Sequence, residues 1–136
     1  MPRRATRIQS GIIIDPGIIS TITTESLSDI EIPLYVINLG TNDSVLAGVH
    51  ALEASQLIPN AVRMFVPDAK DFSFLAECKE RGPEILEKEG ELDPLCEDGG
   101  GRGRRAIHDE LVQRIFGYLD QGGGMSALHA AVANTE

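Results

Sequence analysis

Several residues in this 136-residue chain are spaced so that they could do chemistry. Asp43 comes first. It follows an apolar run, Leu34 to Leu39, which Pro33 opens and Gly40 breaks, and a helical pattern begins at once with Val45, Val49 and Leu52 at i, i+4 and i+7. A buried strand that delivers a carboxylate into the loop at its C-terminal end is where open α/β sheets place reactive groups. The plainer reading of the same residues is that Asp43 or Ser44 caps the helix. A second carboxylate, Asp71, follows the next apolar stretch. Together the two are a poor cage for a hard cation, which wants six or more oxygens, so no metal is expected. Cys78 and Cys96 fit neither a zinc knuckle nor a redox pair; they form one disulfide in an oxidising compartment and are otherwise free. His50 falls within the helical pattern near Glu53, as a surface pair would, and Gly99-Gly-Gly-Arg-Gly-Arg-Arg105 reads either as an anion cradle or as a mobile loop before a helix.

The elements that must position these residues are few. A short β-branched run, Gly11-Ile-Ile-Ile-Asp15, is closed by Pro16-Gly17. Continuous rather than alternating apolarity marks a strand covered on both faces, as in parallel sheets. A single helical turn at Thr24-Glu25-Ser26-Leu27 precedes the strand that ends before Asp43. A helix over residues 44–57 follows, then a third strand over 62–66 and a helix near 83–89. The clearest helix spans residues 105–119, with Ile107, Leu111, Ile115 and Leu119 as its stripe and Phe116 beside them. The order strand, strand, helix, strand, helix describes an α/β fold: a truncated open parallel sheet of about three strands with flanking helices. Residues 1–10 form a polar arm, 11–121 the folded part, and 122–136 a glycine-linked tail able to lie on a partner.

Composition narrows the partners. Twelve basic residues against 21 acidic ones give a net charge of −9, which argues against nucleic acid or an anionic membrane. Residues 77–98 hold nine of the acids, the pattern of a solvated face. No run of residues is long and apolar enough to span a bilayer, and Ile12-Ile13-Ile14 is too short for the core of a secretion signal.

Taken in order, the motifs resemble the C-terminal half of an α/β-hydrolase of the predicted dienelactone-hydrolase-like esterases. They are Asp15-Pro16-Gly17, Thr24-Glu25-Ser26-Leu27, Ile32-Pro33 with its strand, Gly40-x-x-Asp43, Leu57-Ile58-Pro59-x-Ala61, Pro67-x-Ala69, Phe72-x-Phe74-Leu75, Cys78, Cys96 and Arg105-Ala106-x-His108. The resemblance covers residues 7–120. It implies that Asp43 stands at the position of the triad acid and that Asp71 replaces the catalytic histidine. It also implies that His108 is structural, and that the nucleophile elbow Gly-x-Ser-x-Gly belongs upstream of residue 1. A carboxylate is a poor substitute for imidazole as the base of a serine nucleophile at neutral pH. Cys78 and Cys96 match cysteines of a family whose members are often exported, so a disulfide between them is expected if the protein matures outside the cytoplasm.

A hydrolase remnant without its first half follows from the resemblance: not an enzyme as an isolated chain, needing no cofactor, and surviving because it binds another protein chain or itself. The alternative is one half of a split esterase whose partner chain supplies the nucleophile. Either way the strand at Ile12, Ile13 and Ile14 becomes an open edge, and those three residues are the interface candidates.

Overall fold

The structure is a computed structural model that describes residues 7–122. Of the expected arm, residues 7–10 lie within it, while residues 1–6 and the tail beyond Gly122 lie outside the described residues. Three strands, β1 (Gly11–Ile14), β2 (Leu34–Leu39) and β3 (Ala61–Val66), form one parallel sheet in the order β1-β2-β3. The register pairs Gly11 with Leu34 and Ile14 with Ile37 on one side, and Leu34 with Ala61 and Leu39 with Val66 on the other. The helices are α1 (Thr24–Ser28), α2 (Leu52–Leu57), α3 (Gly82–Glu89) and α4 (Arg104–Asp120), with a 3₁₀ turn at Ile19–Thr21.

Alternation along the strands sorts the side chains onto two faces. Tyr35, Ile37, Leu39 and Val66 pack on one side with Ile107, Leu111 and Tyr118 of α4, joined by Ile12, Ile14, Val62 and Met64. Leu34 and Val36 pack on the other with Ile19, Leu27, Ala54 and Ile58, joined by Ile13. Helices on both faces are why all six residues of β2 are buried. The stacked rings of Tyr35 and Tyr118, 5.0 Å apart, fix α4 across the sheet.

Two sequence expectations need correction. The helix expected over residues 44–57 begins only at Leu52. Asn38, fully buried in β2, receives the Ala51 N–H at 3.2 Å and donates to the Val49 carbonyl at 2.9 Å. These are backbone groups that a continuous helix would have used internally, so residues 41–50 stay a turn-rich loop carrying His50. The stripe of α4 is also rotated. Tyr118 rather than Leu119 completes it, and Phe116 and Leu119 face solvent. Gly122 sits past the end of α4 as expected, its N–H returning to the Leu119 carbonyl at 3.0 Å.

The acidic segment holds α3 where the sequence placed a helix, started by Pro83 and stopped at Gly90, and none of its residues is buried. Cys78 and Cys96 are disulfide-bonded at its base, with Cα atoms 5.6 Å apart. No helix among the described residues is long and apolar enough to cross a membrane.

Candidate functional site

Parallel strands end on the same side of a sheet, so Asp15 after β1, Thr41-Asn42-Asp43-Ser44 after β2 and the segment from Pro67 to Asp71 after β3 all emerge there. Gly40 makes the turn out of β2 possible. Its φ is 120°, and a Cβ there would stand 2.8 Å from Ser44 Oγ. Ser44 Oγ receives the Thr41 N–H at 2.7 Å. Asp43 is exposed in this turn, and among the described residues no hydrogen bond or ion pair engages its carboxylate. His50 lies on the same loop, with Nε2 3.1 Å from the Asn42 carbonyl and Nδ1 3.4 Å from the Leu52 N–H.

Another carboxylate at this end, bonded to β2, is one the sequence reading passed over as a site residue. Asp15 adopts a left-handed conformation, φ 42°, that brings Oδ1 within 3.0 Å of both Asn38 Nδ2 and the Leu39 N–H. Its Oδ2 is buried without a hydrogen-bond partner among the described residues. Burial raises the Asp15 pKa, the bonds from Asn38 and Leu39 oppose the rise, and the charge of Asp71 adds to it. Burial likewise raises Asp71. Asp71 thus acts on Asp15, which it repels, across the end of the sheet. Two signals pointed to Asp15: it closes an apolar strand as Asp43 nearly does, and Asn38 is a lone amide in an otherwise apolar strand.

Ser73, Asp98, Arg104 and His108 meet on the α4 side, but not as a nucleophile with its base. Ser73 is fully buried; its Oγ donates to Asp98 Oδ1 at 2.9 Å and receives the Lys70 N–H at 2.9 Å. His108 Nε2 lies 2.8 Å from the Ser73 carbonyl oxygen rather than from its hydroxyl. Arg104, only 5% exposed, donates to Asp98 and to the Ala76 and Glu97 carbonyls. These bonds tie the loop after β3 to the base of the acidic segment, which gives His108 a structural place. The glycine-rich loop is occupied from within in the same way. Arg102 forks onto Asp68 at 2.5 and 2.8 Å and reaches Glu110 at 2.6 Å, and a Cβ on Gly99 would meet the Asp68 carbonyl oxygen. The guanidinium holds Asp68 below its ordinary pKa.

Ile12, Ile13 and Ile14 are each half-buried, although they are built like a covered strand. The Gly11 and Asp15 N–H groups donate inward to the Pro33 and Ile37 carbonyls, at 3.0 and 2.9 Å. Alternation along the strand therefore aims the N–H and C=O groups of Ile12 and Ile14 outward. No strand pairs with that side of β1 among the described residues. Apart from this edge, a groove of about 530 Å³ opens beside α2, lined by Ile19, Leu27, Val45, His50 and Glu53 among others.

No family model matches this chain, and no curated protein or solved structure matches it either.

Proposed function

We propose that this chain is a non-catalytic subunit, derived from an α/β-hydrolase, that works by binding another protein chain along β1. The observation that carries the reading is the open edge. Three isoleucines are only partly buried on a strand that no further strand covers among the described residues, with two residues' worth of backbone polar groups directed away from the sheet. Natural sheets blunt such an edge with charge, proline or a bulge, and β1 has none of these. The wiring of the polar groups supports the non-catalytic part: Ser73 donates to a carboxylate, Ser44 secures a turn, and the Asp71 charge raises the Asp15 pKa instead of serving as a base's partner.

A second reading, half of a split esterase, is favoured by Asp43. It lies exposed at the C-terminal end of the central strand with its carboxylate unengaged among the described residues. In that reading a partner chain brings both nucleophile and base to it.

A chromogenic short-chain ester tests both. The purified chain should turn it over no faster than the Asp43→Ala variant does. Hydrolysis that disappears with Asp43→Ala would overturn the non-catalytic reading. On the binding side, backbone amides of Ile12 and Ile14 should gain protection from hydrogen exchange only when the edge is occupied.

A further inference from the structure

We infer that the occupant of the β1 edge is a second copy of this chain, paired about a twofold axis at Ile13 to give one six-stranded sheet, β3-β2-β1-β1-β2-β3. The inference rests on the reading of β1 as a docking edge and goes on to name what docks there.

A twofold pairing of one strand with itself must be antiparallel, and directly opposed residues must point to the same face of the sheet. Ile12 and Ile14 point to the α4 face and Ile13 to the α2 face. Only registers that oppose residues of like parity satisfy this. In the one centred on Ile13, Ile12 faces the second copy's Ile14, Ile14 faces its Ile12, and the two Ile13 side chains face each other. The hydrogen bonding agrees independently. The outward groups belong to Ile12 and Ile14, so each Ile12–Ile14 pair exchanges two N–H···O bonds, and the Ile13 pair in the middle is the non-hydrogen-bonded kind. Four backbone bonds form and three isoleucine pairs close over the partly buried side chains.

The flanks are compatible. Gly11, which has no side chain, opposes the second copy's Asp15, so no like charges meet along the strand. The acids that dominate the net charge are concentrated in residues 77–98. An antiparallel strand added to a parallel sheet is a common arrangement, and self-complementary β1 needs no further element to make it.

Sedimentation of the full chain at micromolar concentration should give about twice the 14.7 kDa chain mass. Ile13→Lys places two ammonium groups face to face on the axis and should return the mass to that of one chain. Because that variant also disturbs packing, Ile13→Cys is the sharper probe. Opposed Cα atoms of a non-hydrogen-bonded pair lie about 4.5 Å apart, within the reach of a disulfide. Both native cysteines are already bonded to each other. Mild oxidation should therefore crosslink Ile13→Cys into a covalent dimer and leave Ile12→Cys, whose like residues are offset along the strands, uncrosslinked. A single-chain mass for the wild type, or a dimer that Ile13→Cys fails to crosslink, overturns the pairing. Hydrogen exchange separates that failure from the failure of the docking reading. A monomer whose Ile12 and Ile14 amides exchange rapidly overturns only the second copy as occupant, and a monomer in which they are protected overturns the open edge as well.

Discussion

β1 and β2 are made from the same kind of sequence and end in opposite situations. Both are short, continuously apolar and parallel, yet all six residues of β2 are buried while all four of β1 are only partly so. Composition does not separate Gly11-Ile-Ile-Ile from Leu34-Tyr-Val-Ile. Position does: β2 has a strand on either side and helices over both faces, whereas among the described residues β1 has a strand on one side only. A run of β-branched residues records the surroundings a strand is built for, and in β1 those surroundings are incomplete among the described residues. The partly buried isoleucines are for that reason what the proposed binding along β1 would cover.

The comparison is broken most directly by truncating the same residue type in each strand. Ile37→Ala opens a cavity in a fully buried site and should cost about 4 kcal/mol, read from urea denaturation. Ile13→Ala, measured at a concentration low enough to hold the chain monomeric, should cost about 1–2 kcal/mol, since that side chain is only partly buried. Similar losses at the two positions would mean that β1 is covered as well as β2. Next in size is the disulfide, which lies outside the sheet. Its 18-residue separation corresponds to about 3 kcal/mol on the loop-closure account. Cys78→Ser with Cys96→Ser should lower the urea midpoint by that order while leaving amide protection in β1 and β2 ranked as before. A loss of β2 protection alone would show that the acidic segment supports the sheet, contrary to an α3 that buries no residue.

Much of this arrangement was legible in the sequence, and the exceptions share a cause. The three strands, the single turn of α1, the proline-started α3 and the long α4 each follow from a local pattern that tertiary contacts reinforce. The start of α2 did not follow, because Asn38, 13 residues before Ala51, claims the backbone groups of the expected first turns. The stripe of α4 was placed one residue off at its end for a similar reason: Tyr118 has a stacking partner in Tyr35 and Leu119 has none. At the strand ends, Asp43 and Asp71 were found by position, but Asp15 was not, since its importance comes from an amide and an N–H contributed by β2. Periodicity reports what a residue does for its own element. It is silent where a side chain serves the backbone of another.

The smallest effect lies at the seam between the two strands. Asp15 is the last group of β1's turn and bonds only to β2, so its ionisation reports how closely the strands are joined. Its pKa is raised in the folded state, chiefly by burial, with the Asp71 charge adding to the rise. A carboxyl whose folded pKa lies above the unfolded value binds its proton more tightly in the native state. Stability therefore falls as pH climbs from the ordinary aspartate value of 3.8 through the raised one, and is constant above it. Asp68 runs the other way: Arg102 lowers its pKa, so its contribution is present above 3.8 and is lost as pH falls through the lowered value. The two windows do not overlap, which lets one titration separate them. Asp71→Asn removes both the repelling charge and a second carboxyl whose own pKa burial raises, and on both counts should flatten the decline above 3.8 while leaving the acid limb below 3.8 unchanged. Denaturation midpoints collected across pH would show this as a partial rescue confined to the higher window. A variant curve parallel to that of the wild type throughout would mean that Asp71 contributes to the decline neither through Asp15 nor through its own burial, and that burial opposed by the Asn38 and Leu39 bonds sets the ionisation at the seam.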